Sequence, residues 1–119
     1  MTMPVTADVD ADTKDALSGL STGDVDVIES GLGLREQWQQ ESGLDARSFS
    51  LVKIAALVAL DAPPASYLWQ VSSALDSGAT PSEILGVLRA IAPQVGGPKV
   101  VAAAPEIMVA LGLSLPDGA

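Results

Sequence analysis

Apolar residues recur along this chain at helical spacing, and no stretch alternates between apolar and polar positions as a half-buried strand does. Within residues 65–77, Leu68, Val71 and Leu75 fall on one stripe of a helix, because residues three and four apart share a face. The segment at 81–95 repeats this amphipathic pattern. The pattern predicts an all-α fold, a bundle of about six helices.

The turn between these two predicted helices carries a specific set of helix-end signals. Gly78 can adopt the left-handed conformation that commonly closes a helix. Thr80 is a suitable N-cap for the next helix, Pro81 fits its first position, and Glu83 completes a capping box. We therefore predict a tight antiparallel pair of helices around this turn.

The segment at 51–60 is apolar on nearly every side, and Lys53 is its only charged residue. Asp45 is a good N-cap for this helix, and Pro64 fits the start of the next one. A helix without a polar face is buried on several sides. In so short a chain, part of that burial is expected to come from another subunit, so we predict a homo-oligomer.

The chain is predicted to form one helical domain at residues 13–113, between a flexible N-terminal arm at 1–12 and a tail at 114–119. Residues 23–40 are predicted to be helical. Pro105 is expected either to kink the last helix or to begin a new one, because proline disrupts the interior of a helix.

The charge balance restricts the partners of the protein. The formal net charge is −9 with only six basic residues, so the phosphate backbone of a nucleic acid would be repelled. No uncharged run is long and apolar enough for a membrane span, and the first residues lack the pattern of a signal peptide. We expect a cytoplasmic protein that binds neither nucleic acid nor membrane.

The chain contains no cysteine and no histidine. This excludes disulfides, thiolate catalysis and the usual zinc ligands, and it removes the side chain that normally titrates near neutral pH. The serines have no histidine to activate them as nucleophiles. We expect no metal and no cofactor.

Four segments of the chain resemble the carboxymuconolactone decarboxylase family, which includes the alkylhydroperoxidase D-like proteins. They are LDA at 44–46, IAAL at 54–57, ALDSGATPSEILGVL at 74–88 and GGP at 96–98. The resemblance covers residues 44–113 and rests mainly on structural residues. It implies an alkylhydroperoxidase D-like helical bundle that assembles as a trimer or hexamer.

The positions that the resemblance assigns to the active site depart from the family pattern. Gln70 stands where peroxidase-type members carry a histidine, and Pro63 and Ser66 fall where their two cysteines would be. Ser50 falls near the position of an expected acid. Thiol-dependent peroxide reduction is therefore excluded, and Gln70 cannot shuttle a proton as the histidine of decarboxylase-type members would.

The family geometry implies a pocket with catalytic candidates Lys53, Tyr67 and Gln70 and binding candidates Ser66, Trp69 and Gln94. Lys53 can bind a carboxylate or act as an amine, Tyr67 is a weak acid, and Gln70 can orient a carbonyl. Lys53, Tyr67 and Trp69 could instead have purely structural roles. Lys53 would then be a surface charge with a buried stem, and Tyr67 and Trp69 would pack in the core or at a subunit interface.

Three hypotheses on function follow. The first is non-redox chemistry on a small lactone, enol or organic acid held by Lys53, Tyr67 and Gln70. The second is a non-catalytic module that binds a small molecule, and the third is a structural oligomer whose pocket is filled. An open pocket favours the first two hypotheses, and a dry, filled interior favours the third.

Overall fold

A computed structural model of the chain describes residues 7–24 and 34–117. Among these residues there is no strand, and the helices are α1 (Ala11–Ser21), α2 (Leu34–Ser42), α3 (Ala46–Ala59), α4 (Pro64–Asp76), α5 (Pro81–Val95) and α6 (Gly97–Ala110). The prediction of an all-α fold with about six helices is confirmed. The predicted helix at 23–40 falls partly on residues 25–33, which lie outside the described residues. Its last part belongs to α2, and residues 23–24 follow the end of α1 without helical structure.

The predicted helix ends are formed as the sequence indicates. The Asp45 side chain accepts a hydrogen bond from the Ser48 amide at 2.7 Å and so caps α3. Gly78 has a φ of 95° after α4. Thr80 and Glu83 then form a reciprocal capping box, in which each side chain accepts from the backbone amide of the other residue.

Helices α3 to α6 pack around a core of small aliphatic side chains. Helix α3 contacts both α4 and α5, and α6 contacts the same two helices. The centre of the core is formed by side chains from all four helices, Ile54, Val58, Val71, Ile84 and Ile107. Burial of these apolar side chains is the main stabilising term of the bundle.

Helix α6 is one continuous helix that contains Pro105, so this proline does not begin a new helix. Near the start of α6, the Lys99 ammonium donates to the Ala59 carbonyl and pairs with Asp61 Oδ2, both at 2.8 Å. Lys99 therefore joins the start of α6 to the end of α3.

In the part of the chain that the structure describes, no helix is long and apolar enough to cross a membrane.

Candidate functional site

A layer of polar side chains lies buried between α3 and α4. Gln70 is 3% exposed, and its amide nitrogen lies 3.5 Å from the Ser50 carbonyl oxygen, to which it donates. The Ser50 hydroxyl donates to the Ser77 hydroxyl, also at 3.5 Å. Both hydrogen bonds are long and hence weak. The two positions that the resemblance assigns to an acid and a histidine are therefore neighbours in space, and here they hold neutral groups.

Lys53 and Trp69 are brought together beside this layer. The Lys53 ammonium lies 5.0 Å from the centroid of the Phe49 ring and 5.4 Å from that of the Trp69 ring. At these distances the aromatic faces attract the cation. Lys53 thereby helps to hold the Trp69 indole in place, and its side chain is half-buried.

An open groove of about 500 Å³ lies between α2 and α4 and is called the polar groove here. Its described lining residues are Glu36, Gln39, Trp69, Ser72, Ser73, Asp76 and Ser77. Ser73 is 7% exposed, and its hydroxyl has no hydrogen-bond partner within the described part of the chain. A buried hydroxyl without a partner is destabilising, and the oxygen of Ser73 is shielded from solvent.

Tyr67 lies on a different side of α4, in a smaller groove of about 150 Å³ that also involves Lys99, Asp61 and Glu106. Tyr67 is 2% exposed. Burial raises the pKa of its hydroxyl above the ordinary value of 10.0, and the carboxylates of Asp61 and Glu106 add to this effect. At neutral pH Tyr67 is therefore a protonated hydrogen-bonding group.

The two remaining predicted binding residues lie at helix ends. Ser66 is half-buried in the first turn of α4, where its amide donates to the Pro63 carbonyl. Gln94 is exposed in the last turn of α5. The structure thus places the Lys53 ammonium against the Trp69 ring, whereas Tyr67 lines another groove. The roles of all six residues stay predictions.

Sequence reasoning missed most of the polar groove. On α4, Trp69, Ser73 and Asp76 follow one another at spacings of four and three, which places them on one face and could have been noticed. The α2 side of the groove, with Glu36 and Gln39, depends on how α2 packs and has no comparable local signal.

A third groove, called the apolar groove here, lies between α5 and α6 and has a volume of about 470 Å³. Its described lining is formed almost entirely by apolar side chains, including Leu85, Leu88, Met108 and Leu113. It is suited to an apolar partner surface and offers few groups that could orient a polar molecule.

The described part of the chain is a small all-α bundle with a buried neutral polar layer and an open polar groove beside it. The model of the carboxymuconolactone decarboxylase family matches residues 26–107, and the chain belongs to this family. The resemblance is thereby confirmed. No curated protein and no solved structure is a significant match. Since the chain has no cysteine, it lacks the thiolate that a thiol peroxidase requires.

Proposed function

We propose that this family member binds a small organic molecule in the polar groove and performs no redox chemistry. The observation that carries the proposal is the open groove of about 500 Å³, whose described lining combines the Trp69 ring with serine hydroxyls and two carboxylates. Small-molecule sites commonly have volumes of about 300 to 1,000 Å³ and a few well-placed polar groups.

The predicted site residues take distinct roles in this proposal. Trp69 lines the groove, and the ammonium of Lys53 on α3 contacts its ring. Gln70 lies buried between α3 and α4, next in sequence to Trp69, and is not among the described lining residues of the groove. Ser66 and Gln94 are not among the described lining residues of the polar groove, so they have no role in this proposal.

A screen for ligand-induced stabilisation of the full chain tests this proposal. Compounds that raise the Tm of the wild-type protein should lose most of this effect with Trp69→Leu. The matched control is Trp38→Leu, since Trp38 is exposed on α2 and is not among the described lining residues. The proposal fails if no compound binds, or if the compounds bind both variants equally well.

A second candidate function is non-redox chemistry on a small lactone or organic acid, which the sequence predicts with Lys53, Tyr67 and Gln70; of these, Tyr67 lines the smaller groove. It is favoured by the smaller groove, where the Tyr67 hydroxyl, the Lys99 ammonium and the Glu106 carboxylate share one lining. These groups can donate and accept protons around a carbonyl. Turnover of simple lactones that is lost with Tyr67→Phe and reduced with Lys99→Ala would favour this candidate over binding alone.

We further propose that the protein is a cytoplasmic homo-oligomer, a trimer or a hexamer. Large apolar side chains stand exposed on several helices of the single chain, including Val52, Leu60, Leu85 and Val101. Clustered exposed apolar surface commonly marks an interface.

A further inference from the structure

We propose that the smaller groove, between α4 and α6, binds a small zwitterion, an α-amino acid with a short side chain. This inference goes beyond the proposed function, because it concerns a groove other than the polar groove and requires no reaction. The lining brings together the Tyr67 hydroxyl, the Lys99 ammonium and the Glu106 carboxylate. An amino acid carries the complementary carboxylate and ammonium groups.

The Tyr67 hydroxyl is the observation that points to a ligand. Tyr67 is 2% exposed, yet its hydroxyl forms no hydrogen bond within the described part of the chain. Among the described side chains that are not exposed, only the Ser73 hydroxyl is both unpartnered and closed to solvent. The Tyr67 hydroxyl therefore remains open to the groove that it lines. A buried tyrosine usually has a hydrogen-bond partner, and here a molecule in the groove can provide one.

Lys99 and Glu106 offer the two charges that an amino acid needs. An ammonium has three donors, and that of Lys99 uses two of them for the Ala59 carbonyl and Asp61 Oδ2, both at 2.8 Å. One donor remains for a ligand. The half-buried Glu106 carboxylate forms no hydrogen bond or ion pair within the described residues. The groove thus holds two carboxylates and one ammonium, and the excess negative charge attracts a ligand ammonium.

A zwitterion satisfies these groups together. Its carboxylate can accept from the Tyr67 hydroxyl and from the third donor of Lys99, while its ammonium donates to Glu106. Tyr67 and Glu106 face the same small space, since the Glu106 carboxylate helps to raise the pKa of the Tyr67 hydroxyl. At neutral pH that hydroxyl is protonated and can donate.

The size of the groove limits the ligand to a small molecule. Its volume of about 150 Å³ corresponds to about five water molecules at about 30 Å³ each, which suits a molecule of the size of alanine. The apolar part of the lining comes from Pro64, Ala102 and Ala103 and is suited to a methyl side chain.

Molecules with one charged group fit this lining less well. A simple organic acid would pair with Lys99 and Tyr67 but would bring its carboxylate close to Glu106 without offering a donor. A simple amine would pair with Glu106 and leave the Tyr67 proton without an acceptor. In the part of the chain that the structure describes, no three potential metal ligands of the Asp, Glu, His or Cys type lie together, so a metal ion is not favoured.

Three probes that differ by one charged group test the inference. They are L-alanine, propionate, which lacks the ammonium, and ethylamine, which lacks the carboxylate. Binding to the full chain at pH 7 can be measured by NMR titration. We expect L-alanine to bind at least about fivefold more tightly than either of the other probes, because only L-alanine pairs with both charges of the groove.

Two variants locate the binding. Tyr67→Phe should weaken L-alanine binding about three- to tenfold and leave ethylamine binding unchanged, because the hydroxyl donates to the carboxylate. The Tm of this variant should stay close to that of the wild type, since the hydroxyl has no partner in the described chain. Glu106→Gln should weaken the binding of both L-alanine and ethylamine. Glu41→Gln, at an exposed position of α2, is the matched control for this loss of charge.

The outcomes separate this inference from the proposed function. Absence of L-alanine binding, or equal binding of L-alanine and either of the other probes, would overturn the inference. Unchanged L-alanine affinity in both Tyr67→Phe and Glu106→Gln would also overturn it, because the amino acid would then bind elsewhere. Compounds that depend on Trp69 occupy the polar groove, so saturating L-alanine should leave their affinity unchanged. Displacement of these compounds by L-alanine would overturn the inference and leave the proposed function standing.

Discussion

At Gly23, both the backbone conformation and the neighbouring helix exclude a side chain. It is buried after α1 with a φ of 91°, and an added Cβ would collide with the Ala65 carbonyl oxygen. Gly78 has a similar φ of 95°, but nothing lies within 4 Å of the position of its Cβ. A left-handed backbone is thus common to both glycines, whereas a steric clash with an added Cβ occurs only at Gly23.

We predict that Gly78→Ala lowers the free energy of unfolding by about 1–2 kcal/mol, the cost of a left-handed L-residue. Gly23→Ala should lower it by about 1–3 kcal/mol more, because the start of α4 must also move. Urea denaturation followed by circular dichroism measures both values. Equal losses for the two variants would mean that the contact between Gly23 and Ala65 does not restrict the backbone.

The structure alters the titration of the buried Tyr67 hydroxyl. The pKa of its hydroxyl is raised by burial and by the carboxylates of Asp61 and Glu106. The folded state therefore holds the proton more tightly than the unfolded state. The stabilisation is fully present below the unfolded-state pKa, near pH 10, and is lost as pH rises through the higher folded-state pKa.

We predict that the tyrosinate absorbance of the folded protein rises at a pH above 10.0. Since the chain has one tyrosine, this signal reports Tyr67 alone. Glu106→Gln should lower the midpoint, because it removes one negative charge from the groove. Glu41→Gln, at an exposed position of α2, is the control and should leave the midpoint unchanged. A wild-type midpoint at or below the ordinary value would contradict the prediction.

At the scale of elements, three interactions stabilise the start of helix α5. Glu83 Oε1 accepts from the Thr80 amide, while Glu83 Oε2 pairs with Arg47 of α3 at 2.8 Å. The Thr80 hydroxyl accepts from the Glu83 amide. The ion pair is partly exposed and contributes at most about 1 kcal/mol, so the capping box is the stronger local term.

We predict that Thr80→Ala lowers the free energy of unfolding by about 1 kcal/mol, because the Glu83 amide loses its acceptor. Thr80→Ser keeps a hydroxyl and should retain most of the stability. Chemical denaturation monitored by helix content measures the difference. If the alanine and serine variants were equally stable, the hydroxyl would not contribute to the helix start.

These helix ends explain how much of the fold could be predicted from the sequence. Caps at Asp45 and Thr80 are local, since each involves residues three positions apart, and both were predicted correctly. The candidate site depends on packing between helices. The approach of Lys53 to Trp69 and the assembly of the polar groove from α2 and α4 have no local signal, so only part of the site could be predicted.

At the scale of the whole molecule, the apolar groove leaves the bundle with an unpartnered surface. Leu85 is 46% exposed at its edge, and Leu113 is also exposed. Removing apolar surface from water stabilises association by roughly 25 cal/mol per Å² before the costs of association are subtracted. We therefore expect the wild-type chain to sediment at micromolar concentration with three or six times its mass of 12.1 kDa.

The variant Leu85→Glu tests whether this groove forms the interface. A carboxylate there would have to be desolvated on assembly, so the variant should sediment as a smaller species while keeping its helix content. Leu17→Glu is the control, because Leu17 is also exposed but lies on α1, away from the apolar groove. A monomeric wild-type protein would contradict the proposed oligomer. If Leu85→Glu kept the wild-type mass, the interface would lie on another face. The next candidates are the exposed side chains of Val52 on α3 and of Leu60 directly after it.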